Sequence, residues 1–379
     1  MILGRLMGYS LVRKGVARYL VVLAFCGANV NTLSAMEFIK DFYLPLTTNY
    51  DSNIQMVNNN QKSVITYAAS PRLTLIAQDE LNKFNFDASM FLQKSSDRKI
   101  SEDRDDPSLS AGWQRDFSRG QFFVTSGYTK SSTRTTELNR SGLVAADGSA
   151  ISKSVNLGLS YLLTDRYTLS TGLGYQSQEY TSIGLVDYTS KTINAKLSYL
   201  YSPTLAPFIQ TSLNRYEETG ITSGSRISKS TSAGVNYQAN DRLTMVASAG
   251  VNQVSSGGRG WIGAYSLGYF LDDKSSINAS ITRSVSPSGL GGFEKSDSMN
   301  INYTRDLSAR DRVGADFGWN INRSINQTRN KQLNAWYVHD LSQEWSLRAN
   351  TQYRTLENGS QQADGYLVGL SIVFQYPNF

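Results

Sequence analysis

The residues best able to do chemistry are scarce in this chain of 379 amino acids: one His, His339, and one Cys, Cys26. A nucleophile–imidazole–carboxylate relay needs a base held beside a hydroxyl on a sharp turn. His339 precedes Asp340, but no G-x-S-x-G stretch occurs to supply that turn. One His and one Cys also cannot build a His or Cys metal cluster. The stretch "SEDRDDP" (101–107) offers Glu102, Asp103, Asp105 and Asp106 as oxygen ligands. It lacks the glycine and terminal glutamate of a calcium loop, so it reads as a solvated connection. "SSGGRG" (255–260) and "GLGG" (289–292) have no following helix or lysine and read as turns, not phosphate cradles. Neither an enzyme activity nor a metal or cofactor is expected.

Amides are what the chain has in quantity, and they recur at steps of two. Asn194 and Lys196 share a parity, as do Asn300 and Asn302, Asp316 and Asn320, and Arg348, Asn350, Gln352 and Arg354, with Asn334 in a similar setting. Side chains alternate faces along a strand, so this spacing gives one wet face and one apolar face. A wall of amides and hydroxyls can trade hydrogen bonds with sugar hydroxyls at little net cost. Lys196, Arg348 and Arg354 would draw in an acidic polymer. Polar walls are also what any water-filled pore requires.

The elements that position these residues are strands. In the last one, Tyr366, Val368, Leu370, Ile372, Phe374 and Tyr376 share a face, against Leu367, Gly369, Ser371, Val373 and Gln375. The same alternation sets Val155, Leu157, Leu159 and Tyr161 against Asn156, Gly158 and Ser160. Helical spacing fits these segments worse. Short connections such as "TDR" (164–166) and "SQE" (342–344) alternate with longer ones such as "RTTELNRSGLVAADGSA" from 134. Counting between them gives about eighteen strands, from 42–52 through 167–180 and 243–254 to 364–376, with both ends on the short-turn side. The expected fold is all-β: a transmembrane antiparallel up-and-down β-barrel with short periplasmic turns and longer extracellular loops. A soluble propeller has a similar repeat but needs four strands per period. Aromatic residues recur beside the short turns (Trp113, Tyr161, Tyr201, Tyr237, Tyr269, Tyr303, Tyr337), where a membrane girdle would lie. Phe379 ends the chain with an aromatic, as in barrels delivered by the outer-membrane assembly machinery. Pro377 puts it out of parity with Tyr376.

The N-terminus is of another kind. Residues 1–35 run from basic (Arg5, Arg13, Lys14, Arg18) through the apolar "YLVVLAFCGA" to "NTLSA". That is the layout of a secretory signal peptide, with cleavage expected after Ala35 and the barrel occupying 36–379. Lipid attachment at Cys26 is disfavoured by the bulky Phe25 before it. Taking those four basic residues from 37 leaves 33 against 31 acids, a net of +2, so a nucleic-acid partner is not expected. The mature chain has no Cys and is held by packing and hydrogen bonds alone.

The stretches "NYDSNIQ" (49–55), "SPRLTL" (70–75), "GLVDYTS" (184–190), "GWIGAYSLGY" (260–269) and "RSVSPSGLGGFEKSD" (283–297) resemble a family of outer-membrane β-barrel porins associated with exopolysaccharide biosynthesis loci. The resemblance implies an envelope protein that carries newly made polysaccharide outward. The implied partners are outer-membrane lipid, the barrel assembly machinery, the polysaccharide and periplasmic export proteins. A general diffusion porin and a closed adhesion or structural barrel acting through its loops remain open alternatives. Sequence does not say whether a loop folds into the lumen.

Overall fold

Period-two alternation becomes a single continuous wall of strands. The computed structural model describes residues 36–140, 147–220, 224–255, 257–323, 327–359 and 361–377. The expected signal peptide (1–35) and Phe379 lie outside the described residues. The strands are β1 (Glu37–Asp51), β2 (Val64–Ala69), β3 (Arg72–Gln78), β4 (Asn82–Ser95), β5 (Arg104–Phe117), β6 (Gly120–Ser132), β7 (Ser149–Leu162), β8 (Tyr167–Tyr180), β9 (Tyr188–Tyr199) and β10 (Leu205–Glu218). They continue as β11 (Ser225–Asn240), β12 (Leu243–Val254), β13 (Gly258–Phe270), β14 (Ser275–Pro287), β15 (Phe293–Asp306), β16 (Asp311–Asn322), β17 (Thr328–Asp340), β18 (Trp345–Asn358) and β19 (Gln361–Pro377). One helix, α1 (Thr133–Arg140), follows β6.

β2 and β3 are halves of one stave, so the wall has eighteen staves. The break falls at Ser70–Pro71, where proline supplies no N–H to the ladder. Backbone bonds bridge the gap: Ser70 donates to Pro45 O (3.1 Å) and Met90 to Pro71 O (3.1 Å). β1 and β19 close the sheet antiparallel, from Asp41 opposite Pro377 to Asp51 opposite Leu367. Closure leaves no bare edge, which hydrocarbon requires. Both terminal strands meet at the short-turn end, which places the long loops outside the cell.

The apolar residues are on the outside. Leu173, Ile193, Ile209, Leu333 and Leu370 are each about half exposed, whereas among the described residues the buried apolar residues that cluster are Met56, Leu356 and Ala363. An exposed apolar belt of this extent needs lipid to cover it. Near the short turns, aromatics pack across strands: Phe84 on Trp113, Phe117 on Tyr161, Tyr167 on Tyr199 and Trp345 on Phe374. Tyr201 lies just beyond β9, in the turn itself. At the opposite end, ion pairs mark the water boundary, among them Lys153–Glu179 (2.5 Å), Lys191–Glu217 (3.0 Å) and Lys331–Glu357 (3.2 Å). Leu370→Lys places a charge near the middle of the lipid face and is expected to cost about 2–4 kcal/mol. Urea unfolding from lipid vesicles, with Ser371→Lys on the inner face as control, measures it.

Two segments differ from the sequence expectation. The stretch 104–107 belongs to β5, so "SEDRDDP" is not all loop. Alternation explains it: Arg104 and Asp106 share the inner face and pair, while Asp105 points outward to Lys130 (3.0 Å). The connection from 134 is also more than an outer loop, because it begins in α1.

Candidate functional site

Several of the polar residues that the sequence singles out border cavities between strands. Asn194 sits over Gly172. Lys196 places its ammonium 4.0 Å from the centre of the Phe208 ring. Asn300, Asn302 and Asp316 line one cavity of about 470 Å³ with Gln332. Asp316 gathers this group, accepting from Asn302 Nδ2 and from Asn334 Nδ2 (2.9 Å). Asn320 faces Asn330 across the β16–β17 pair. Gln352 donates to Gln332 Oε1 at 3.4 Å. Asn334, Arg348 and Asn350 share another cavity of about 310 Å³. A third, of about 730 Å³, runs along β6–β10 with Asn156, Gln176, Asn194 and Asn214.

Arg354 is engaged differently from Lys196 and Arg348. Its Nη2 donates to both Asp51 carboxylate oxygens at 2.7 Å, and the two side chains are 12% and 6% exposed. A guanidinium neutralised and enclosed in this way holds a wall together. It does not present charge to a passing polymer. Asp51 also accepts from Asn53 N (3.1 Å), and Asn53 Nδ2 donates to Val57 O (2.8 Å) and Asp364 O (2.9 Å). The loop after β1 is thereby fastened to β19.

The long-loop mouth is crossed by chain. α1 grows from the end of β6 and reaches β16, which stands far from β6 in the strand order, so it spans the lumen. Glu137, almost fully buried, accepts from Tyr180 OH (3.0 Å). Arg134 donates to Ile100 O (3.1 Å) and lies 3.6 Å from Asp147, which Arg104 approaches at 3.5 Å. Arg104 also donates from Nε to Asp106 at 2.6 Å. Burial is the largest influence on the Arg134 guanidinium and lowers its pKa, while Asp147 and Asp51 oppose that and favour the charged form. In the β4–β5 loop, the Lys94 ammonium and the Ser95 N–H hold the Asp103 carboxyl below its ordinary range. A second bridge joins loops of distant strands: Val186 N, after β8, donates to Gly289 O, after β14, at 2.7 Å. Gly289 packs on the Tyr180 ring, and buried Tyr216 donates to Ser288 O (3.3 Å). Gly291 and Gly292 take φ of +95° and +91°, which lets this loop turn back into the mouth.

This mouth is not legible in the sequence. Arg104, Asp106, Glu137 and Asp147 lie in segments whose polarity reads as solvated loop. The usable signal was local: Arg104 and Asp106 already stand in strand alternation. His339 Nδ1 donates to Asp311 (2.8 Å), which also accepts from Ser308 Oγ (2.6 Å), so the carboxylate stands between hydroxyl and imidazole. That order keeps the imidazole off the hydroxyl. Among the described residues no group of three or more His, Cys, Asp or Glu is placed to hold a metal.

A closed antiparallel barrel, apolar outside and polar within, is an outer-membrane β-barrel, and the outer membrane is where this protein resides. No family model and no curated protein matches the chain. Solved structures do. OccK3 (OpdO) of Pseudomonas aeruginosa matches with a TM-score of 0.50 at 13% identity, over 90% of this chain and 96% of that one. OccAB4 of Acinetobacter baumannii gives 0.49 at 9% identity, over 92% and 100%. The siderophore receptor PirA of Pseudomonas aeruginosa gives 0.47 at 10%, over 89% and 80%. At these identities the likeness is one of fold.

Proposed function

We propose that this barrel is a channel that carries hydroxyl-rich polymer, an exopolysaccharide, outward across the outer membrane, supplied by periplasmic export proteins. One observation carries the reading: amides and hydroxyls line the inner cavities on both sides of the barrel. Such a wall replaces water around a sugar chain without binding it tightly. The loops over the outer mouth would act as the restriction that the polymer passes. Deleting the gene in its host tests this. Surface polysaccharide should fall while periplasmic polysaccharide accumulates; unchanged surface polymer removes the export reading.

A diffusion porin is the competing reading, because the same wall accommodates any small polar solute. Bilayer conductance with liposome swelling separates the two. An exporter should swell slowly with monosaccharides for its barrel size, whereas a porin should admit them freely.

A further inference from the structure

Three arginines project inward from β16 and β18, and their circumstances differ. Arg312 lies 3.2 Å from Asp306 and 4.0 Å from Asp340. Arg354 is clamped on Asp51. Arg348, between them in height, makes no ion pair among the described residues; its guanidinium lies 5.4 Å from the centre of the Trp336 ring. A lone exposed arginine is ordinary on an outer surface. Inside a lumen, where its neighbours on the same wall are neutralised, it leaves a local positive charge facing the pore.

The surroundings of Arg348 are built. The cavity of about 310 Å³ brings it together with Asn334, Asn350, Tyr43, Thr47 and Ser371, at the seam where β1 and β19 close the barrel. Thr47 Oγ1 and Ser371 Oγ are 2.8 Å apart, tying the two strands. Two glycines make room. Gly314 lies directly opposite Trp336, and a Cβ there would overlap the indole, so the ring lies flat on the wall. Gly369 lies opposite Asn350 and Asn49, and a Cβ there would strike both amide oxygens. A second cavity of about 590 Å³ toward the short turns shares Tyr43 and Arg348, which thus stands where the periplasmic vestibule meets the seam pocket.

We infer that this pocket is a subsite for one carboxylate-bearing sugar unit, a uronate, of the transported chain. The components match a uronate's parts. A pyranose has a face of C–H groups that packs on an indole, a hydroxyl edge that bonds to amides and hydroxyls, and a carboxylate that pairs with a guanidinium. Within the cavity Arg348 supplies charge, and Asn334, Asn350 and the seam hydroxyls the edge; the Trp336 ring, 5.4 Å from the guanidinium, offers a flat surface beside it. The inference rests on the channel reading and names the chemistry of its cargo as acidic.

The test is titration calorimetry of the purified full chain in detergent micelles with tetragalacturonate, and with maltotetraose as neutral control. Wild type should bind the acidic oligomer more tightly. Arg348→Gln should lower that affinity by about tenfold or more, a difference of one decade in Kd, and leave maltotetraose unchanged. Arg348→Lys should recover part of the loss, and Trp336→Leu should weaken both ligands. Equal binding of the two oligomers, or tetragalacturonate binding unaltered by Arg348→Gln in a barrel that keeps its heat-modifiable gel mobility, overturns the subsite. Conductance of the same preparation separates the two claims. Arg348-dependent binding by a barrel silent in bilayers keeps the subsite and removes the channel. Conductance without Arg348-dependent binding does the reverse.

Discussion

Deleting residues 134–147 should raise single-channel conductance several-fold and leave the barrel folded. α1 begins in this segment and spans the outer mouth, so removing it takes away the chain crossing from β6 to β16. The wall should tolerate the loss for a specific reason. Ser132 pairs with Ser149, and Thr133 N already donates to Gly148 O (3.0 Å). The deletion therefore joins Thr133 to Gly148 as a two-residue hairpin with the register intact, a loop length that suits glycine. Arg104 loses Asp147 but keeps Asp106, so no buried cation is stranded. Planar-bilayer recording measures the effect. Conductance equal to wild type would mean that the Val186–Gly289 bridge, not α1, limits flow.

Arg354→Ala should destabilise the barrel by about 3–5 kcal/mol, because it removes the guanidinium that pairs directly with the enclosed Asp51 carboxylate. Asp51→Asn should do comparable harm from the other side. The double variant Asp51→Asn/Arg354→Leu should recover most of the loss, since replacing both members removes the unpaired charge. Arg348→Gln, three turns of alternation away on the same strand face, should change stability little, since among the described residues Arg348 pairs with no carboxylate. Urea titration from vesicles reads all four. Similar stability for Arg354→Ala and Arg348→Gln would show that the Asp51 pair is not structural.

The wall was largely legible in the sequence because strand alternation is local. β8 and β12 begin and end at the residues that periodicity indicates. Leu370 and Ile372 face outward and Ser371 inward for the same reason. The mouth was not legible. Nothing within the neighbourhood of Glu137 foretells Tyr180, and nothing near Val186 foretells Gly289, because these contacts depend on where strands distant in sequence stand in the ring. Arg354 shows the limit within the wall itself. Parity places it inward alongside Arg348, but only the β1–β19 closure brings Asp51 to one of them and not the other. The polar partner of an inward residue is thus set by register, whereas its direction is set by alternation.

The seam has a kinetic meaning as well. Thr47 and Ser371 are 324 positions apart, and the whole β1–β19 ladder joins strands at comparable separation. Every other neighbouring pair is a hairpin or adjacent stave that can form early, by short-range search. The seam is the highest-contact-order event in the molecule, and non-local pairing of that kind is slow. Until it forms, the intermediate is an open sheet whose first strand waits with unpaired amides and carbonyls, the form in which strands join other chains. Fidelity of assembly therefore depends less on the strength of any one hairpin than on how long β1 is shielded before β19 arrives.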